Sequence, residues 1–172
     1  MKAIHLALLI LVGLLTITPA ASAATGTGTL YVTNASDVKM GSTATVSIYL
    51  KNNFEPKIGA YEILMYFDNE VVKPKEIEIQ QSNASFGNIF ADHVLVNGIS
   101  AYGYDNGDLL LATVTLEALA DDGSVSELRV WMVPDSFADI NNDDLPMPAI
   151  QNGTFTTKDD VPPVITLNTP LT

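Results

Sequence analysis

Few residues of this 172-residue chain could do chemistry, and the sharpest group is Asp139-Ile-Asn141-Asn-Asp143-Asp144. It sets side-chain oxygens at the first, third and fifth positions of a loop, a spacing that suits calcium, which takes about six to eight hard oxygens. The helix-loop-helix calcium pattern fails here, because Asp144 stands at its glycine position and Ile150 at its bidentate glutamate position. Asp139, Asn141 and Asp143 are therefore either ligands of a non-standard calcium loop or members of a solvated acidic turn. Catalytic sets are harder to assemble. Once the leader is set aside His93 is the only histidine, so no histidine zinc set can form and a serine triad would hang on one imidazole. Twenty acids guarantee chance carboxylate pairs, and no insertion of cleft-building length interrupts the chain. The expectation is a non-enzyme that requires no cofactor, with calcium as the one optional ion. Trp131, the only tryptophan, lies among Val130, Met132 and Val133, which predicts core packing rather than a sugar-stacking platform.

The first twenty-three residues read as an export leader. Lys2 gives the positive start, Leu6 to Leu15 an apolar run too short to span a bilayer, and Ala21-Ser22-Ala23 a small-residue cleavage site. The expected mature chain is secreted, has no membrane insertion of its own, and is attached to a cell surface only through a part not shown. Without Lys2 it carries seven basic residues against twenty acidic ones, 7 − 20 = −13, a balance that repels phosphate backbones and argues against nucleic acid. Absence of cysteine removes disulfides, thiolate metal sites and a cysteine nucleophile. Sequons at Asn34, Asn83 and Asn152 are candidate glycosylation sites, whereas Asn168-Thr-Pro170 fails on its proline.

The elements that must position these residues are strands. Period-two alternation runs from residue 29 to 157, and no helix-length window carries a three-to-four spacing. Thr45–Leu50 ends at a Lys51-Asn52-Asn53 turn signal. Gly59–Phe67 and Val71–Ile79 follow across an Asp68-Asn69 turn, and Pro74 sends the second of these to an edge or a bulge. Residues 80–91 read as a loop. Asn97-Gly98 predicts a tight hairpin between His93–Val96 and Ile99–Tyr104, because both central residues of such a turn need positive φ. Leu109–Ala118 and Val125–Val133 flank Asp121-Asp122-Gly123, and Gly153–Thr157 closes the set. About nine short strands with no crossover helix predict an all-β fold: a two-sheet antiparallel sandwich of jelly-roll topology over residues 24–158. Val161-Pro162-Pro163 then reads as a stiff linker within 159–172, leading into a next module or packing back on the sandwich edge.

Read in order, these signals resemble one family. They are Ile63-Leu-Met-Tyr-Phe-Asp68-Asn-Glu-Val71-Val, then Gly107-Asp-Leu-Leu-Leu-Ala-Thr-Val-Thr-Leu-Glu117, Phe137-Ala-Asp139 and Gly153-Thr-Phe-Thr156. Together they are similar to cohesins, the modules that hold dockerin-bearing proteins on scaffolds, over roughly residues 29–157. Two places depart from the family pattern: Phe67-Asp68-Asn69 replaces a tyrosine-proline corner, and Lys39-Met40-Gly41 replaces a proline-glycine turn. The resemblance implies a jelly roll that docks a dockerin-like protein on one sheet face. Strand 59–67 divides into a core-like side, Tyr61, Ile63, Met65 and Phe67, and a mixed side, Ala60, Glu62, Leu64 and Tyr66. Glu62, Leu64 and Tyr66 are the implied contacts, extended by Tyr102 and Tyr104 if those alternate on the hairpin strand; otherwise the tyrosines are half-buried strand residues. A carbohydrate-binding module with polysaccharide as partner, or a structural spacer of the cell envelope, are the rival readings.

Overall fold

The computed structural model describes residues 24–81 and 84–159. The leader, the Asn83 sequon and the Val161-Pro162-Pro163 tail lie outside the described residues. Twelve strands and no helix are found among the described residues: β1 (Thr25–Val32), β2 (Ala35–Val38), β3 (Thr43–Glu55), β4 (Ile58–Tyr66), β5 (Val72–Ile79), β6 (Ala84–Ile89), β7 (His93–Ile99), β8 (Gly107–Ala118), β9 (Val125–Met132), β10 (Ala138–Asp139), β11 (Ala149–Gln151) and β12 (Gly153–Thr157). One sheet runs β11-β1-β3-β8-β5 and the other β2-β12-β9-β4-β7-β6, with β10 alongside β4. Pairing is antiparallel except for β1 with β11 and β12 with β2. This is the expected sandwich, with twelve strands where the alternation suggested about nine; of the unforeseen ones, β2, β10 and β11 are too short to show a period.

Alternation decides what fills the space between the sheets. Leu30, Val46, Ile48, Leu50, Ile63, Met65, Val94, Val96, Leu116, Leu128, Met132 and Phe155 all point inward and are fully buried, each worth roughly 1.5–3 kcal/mol relative to exposure. The Asp68 turn forms as expected but carries the chain from one sheet to the other instead of closing a hairpin. Its carbonyl accepts from Val71 N (3.1 Å) and Val72 N (2.9 Å), its carboxylate from Glu70 N at 2.9 Å, and its own N–H donates to the buried Ser126 hydroxyl at 2.9 Å. Pro74 sits on β5, an edge strand, beside a register shift between Pro74 and Glu76.

Three expected turns or loops are strand. β3 continues through Lys51-Asn52-Asn53 to Glu55, and Asn52 is buried with its amide donating to the Asp105 carbonyl at 3.0 Å. Within the 80–91 segment, β6 pairs with β7 from Ala84 to Ile89. Asn97-Gly98 lies inside β7, Asn97 between Glu62 and Phe86 and Gly98 between Tyr61 and Ser85. The glycine answers to crowding and not to a turn: a Cβ there would come within 2.6 Å of the Tyr104 hydroxyl and 2.7 Å of the Tyr61 ring.

Candidate functional site

The outer face of β6-β7-β4-β9 collects the sticky residues. On β4 the inward set is Tyr61, Ile63 and Met65, and the outward set is Ala60, Glu62, Leu64 and Tyr66. Register then fixes their neighbours. Leu64 stands between Leu95 of β7 and Trp131 of β9, Glu62 opposite Asn97, and Tyr66 between His93 and Arg129. Asn97 pairs in turn with Phe86 of β6. The result is an apolar centre, Leu64 with Leu95, flanked in its row by Trp131 (51% exposed), with Phe86 (54% exposed) placed diagonally, beside Asn97. Aromatic residues around an aliphatic centre are what well-packed protein interfaces use.

One rim of this face is a continuous stack. Phe90 lies against His93 (ring centroids 4.5 Å, 14° between planes), His93 against Tyr66 (5.4 Å), and the Arg129 guanidinium sits 5.9 Å from the Tyr66 ring centroid. His93 Nδ1 is 2.8 Å from the Asp92 carboxylate, and that hydrogen bond holds Asp92 below the usual carboxylate range. Beyond Tyr66 the surface dips into a groove of about 460 Å³ lined by Tyr66, Arg129, Val130, Trp131, Ile150 and Asn152.

Of the residues the sequence singled out, Glu62, Leu64 and Tyr66 are brought together on this face. Tyr104 is not. It is 3% exposed and packs on Tyr61 with ring centroids 5.3 Å apart, because the expected hairpin does not form and the chain turns inward after β7. Tyr102, 89% exposed, stands on the turn after β7 and so does not continue the row of Leu64 and Tyr66. Trp131 reverses its expectation of core packing. Ser126, Leu128, Val130 and Met132 take the inward parity of β9, which leaves Glu127, Arg129 and Trp131 outside. Counting parity from Leu128 and Met132 would have found Trp131 and Arg129; the apolar neighbours Val130 and Met132 obscured it. Phe86 was missed because β6 is rich in Ser, Gly and Asn and reads as loop.

The Asp139 loop is closed by its own backbone. The Asp139 carboxylate is buried, and one of its oxygens accepts from Asn141 N at 2.7 Å and Asp143 N at 3.0 Å. The other accepts from the Asn141 amide at 3.3 Å, and Asn142 takes a φ of 67° to complete the turn. Among the described residues no three acidic or imidazole groups converge as a metal site. The Asp139 carboxylate thus holds the loop amides and the Asn141 side chain, while Asp143 joins the loop through its backbone. Two of the three sequons are described, and both asparagines hold strand ends: Asn34 accepts from Thr154 N at 2.9 Å, Asn152 from Val130 N at 3.2 Å.

No protein-family model matches the chain, and no curated protein matches it. Solved structures do. A non-cellulosomal cohesin from the hyperthermophilic archaeon Archaeoglobus fulgidus is similar at 18% identity and a TM-score of 0.64, over 76% of this chain and 91% of that one. A type I cohesin in a cohesin–dockerin complex from Clostridium thermocellum is similar at 14% identity and a TM-score of 0.65, over 80% and 97%. A type I cohesin from Pseudobacteroides cellulosolvens is similar at 15% identity and a TM-score of 0.64, over 83% and 99%. More than nine tenths of each of these three chains is matched at an identity too low to carry residue roles. The described chain has the cohesin fold.

Proposed function

We propose that this protein is a non-catalytic docking module of an exported protein, and that the outer face of β6-β7-β4-β9 receives a dockerin-type partner. The observation that carries this reading is the apolar row of Leu95, Leu64 and Trp131 on one regular sheet face, with exposed Phe86 diagonal to it and Glu62, Asn97, Tyr66 and Arg129 around it. A passive spacer has no use for such a surface. Dockerin binding by neighbours of the same fold supports the class of partner. Export is supported by the apolar leader and its Ala21-Ser22-Ala23 site, with the sandwich over 24–158 as the folded unit and 159–172 as linker.

The test is direct binding of the mature protein to a panel of purified dockerin domains by calorimetry, alongside insoluble polysaccharides. Saturable binding of a dockerin, weakened by Leu64→Asp, supports the reading. Binding to polysaccharide alone replaces it with a carbohydrate module.

A further inference from the structure

The β9 side of the face ends in the 460 Å³ groove, within the size range of small-ligand sites, and it holds the chain's only arginine and only tryptophan. Arg129 belongs to none of the ion pairs among the described residues, although acids outnumber bases twenty to eight. Glu127, two residues away on the same side of β9, is engaged by the Asn152 amide at 2.9 Å. The guanidinium instead leans over the Tyr66 ring, which orients it while leaving its donors open. Trp131 is the next outward residue on β9, so one sugar ring can lie on the indole while a substituent of that ring reaches the guanidinium. Asn152, with its oxygen on Val130 N and one amide hydrogen on Glu127, retains one hydrogen and one lone pair for ring hydroxyls. Ile150 adds an apolar side chain to the lining.

We propose that this groove binds a carboxylate-bearing sugar, a uronic acid unit of an acidic glycan, with Trp131 under the ring and Arg129 paired to the carboxylate. The groove shares Tyr66, Arg129 and Trp131 with the proposed docking face, so sugar and docked protein would compete there, but sugar binding does not require a dockerin and is tested without one. A charge-assisted, bidentate carboxylate pair is the interaction that a free guanidinium makes best. The negative balance of the whole molecule does not prevent it, since at about 0.15 M salt distant charges are screened beyond roughly 8 Å while the direct pair is not.

Trp131 is its own reporter. The mature protein is titrated at about 0.15 M salt with oligogalacturonate and, in parallel, with a neutral cello-oligosaccharide of the same length, reading indole fluorescence. The expected result is a saturable response to the acidic sugar only. Arg129→Gln should weaken it about tenfold or more with an unchanged melting temperature, and Arg129→Lys should recover part of the loss. Trp131→Ala, followed by calorimetry, should abolish binding. No response to oligogalacturonate, an equal response to the neutral sugar, or full affinity in folded Arg129→Gln overturns the proposal.

Discussion

Leu64 and Trp131 are cross-strand neighbours, so their side chains form one contact surface and not two scattered apolar residues. Leu64→Asp should lower partner affinity at least tenfold, as loss of a central interface residue does, while thermal unfolding moves little because the residue faces outward. Calorimetry and a melting curve check both. Tyr61 and Tyr104 are the opposite case, two buried phenols whose rings pack together and whose hydroxyls crowd the space Gly98 leaves. Gly98→Ala should cost about 1–3 kcal/mol by overpacking, and Tyr61→Phe in the same chain should return part of it, measurable as a double-mutant cycle in urea. Burial, and next the neighbouring Tyr104, push the Tyr61 phenol well above its ordinary value of 10.0. The unfolded chain therefore gives up this proton first, so stability is full below about pH 10 and falls as pH rises past it. Absorbance at alkaline pH should show a phenol that ionises only with cooperative loss of the sheet signal.

Strands were legible where an alternating set is buried on one side, and illegible where another force placed them. β4 was read correctly to the side chain because Tyr61, Ile63 and Met65 strictly alternate with polar or mixed residues. β7 was misread because Asn97-Gly98 carries a hairpin signature, while the glycine is required by tyrosines that arrive from β4 and from the turn after β7. β6 has no apolar run to announce it; its place is set by pairing with β7. Oxygen spacing alone cannot tell cation ligands from acceptors of loop amides, and in the Asp139 loop the amides are what the carboxylate meets. Asp139→Ala should leave Asn141 N and Asp143 N without their acceptor and cost about 1–3 kcal/mol. The loss should be the same in calcium and in chelator, as differential scanning calorimetry can show.

At the scale of the whole molecule the two outer faces differ. The five-stranded sheet presents Thr45, Ser47, Thr113, Thr115 and Glu117 around a stacked Tyr31–Tyr49 pair, while the other presents the apolar centre around Leu64. A jelly roll built only as a spacer would have no reason for that asymmetry, and the fold class, read from alternation and turn spacing, does not by itself say which face is used. The most direct measurement is a methyl and indole NMR titration of the mature protein with a purified dockerin domain. Docking on the proposed face predicts shifts at the Leu64 and Leu95 methyls and the single Trp131 indole. Shifts confined to the methyls of Thr45, Thr113 and Thr115, or none with any dockerin, would contradict it.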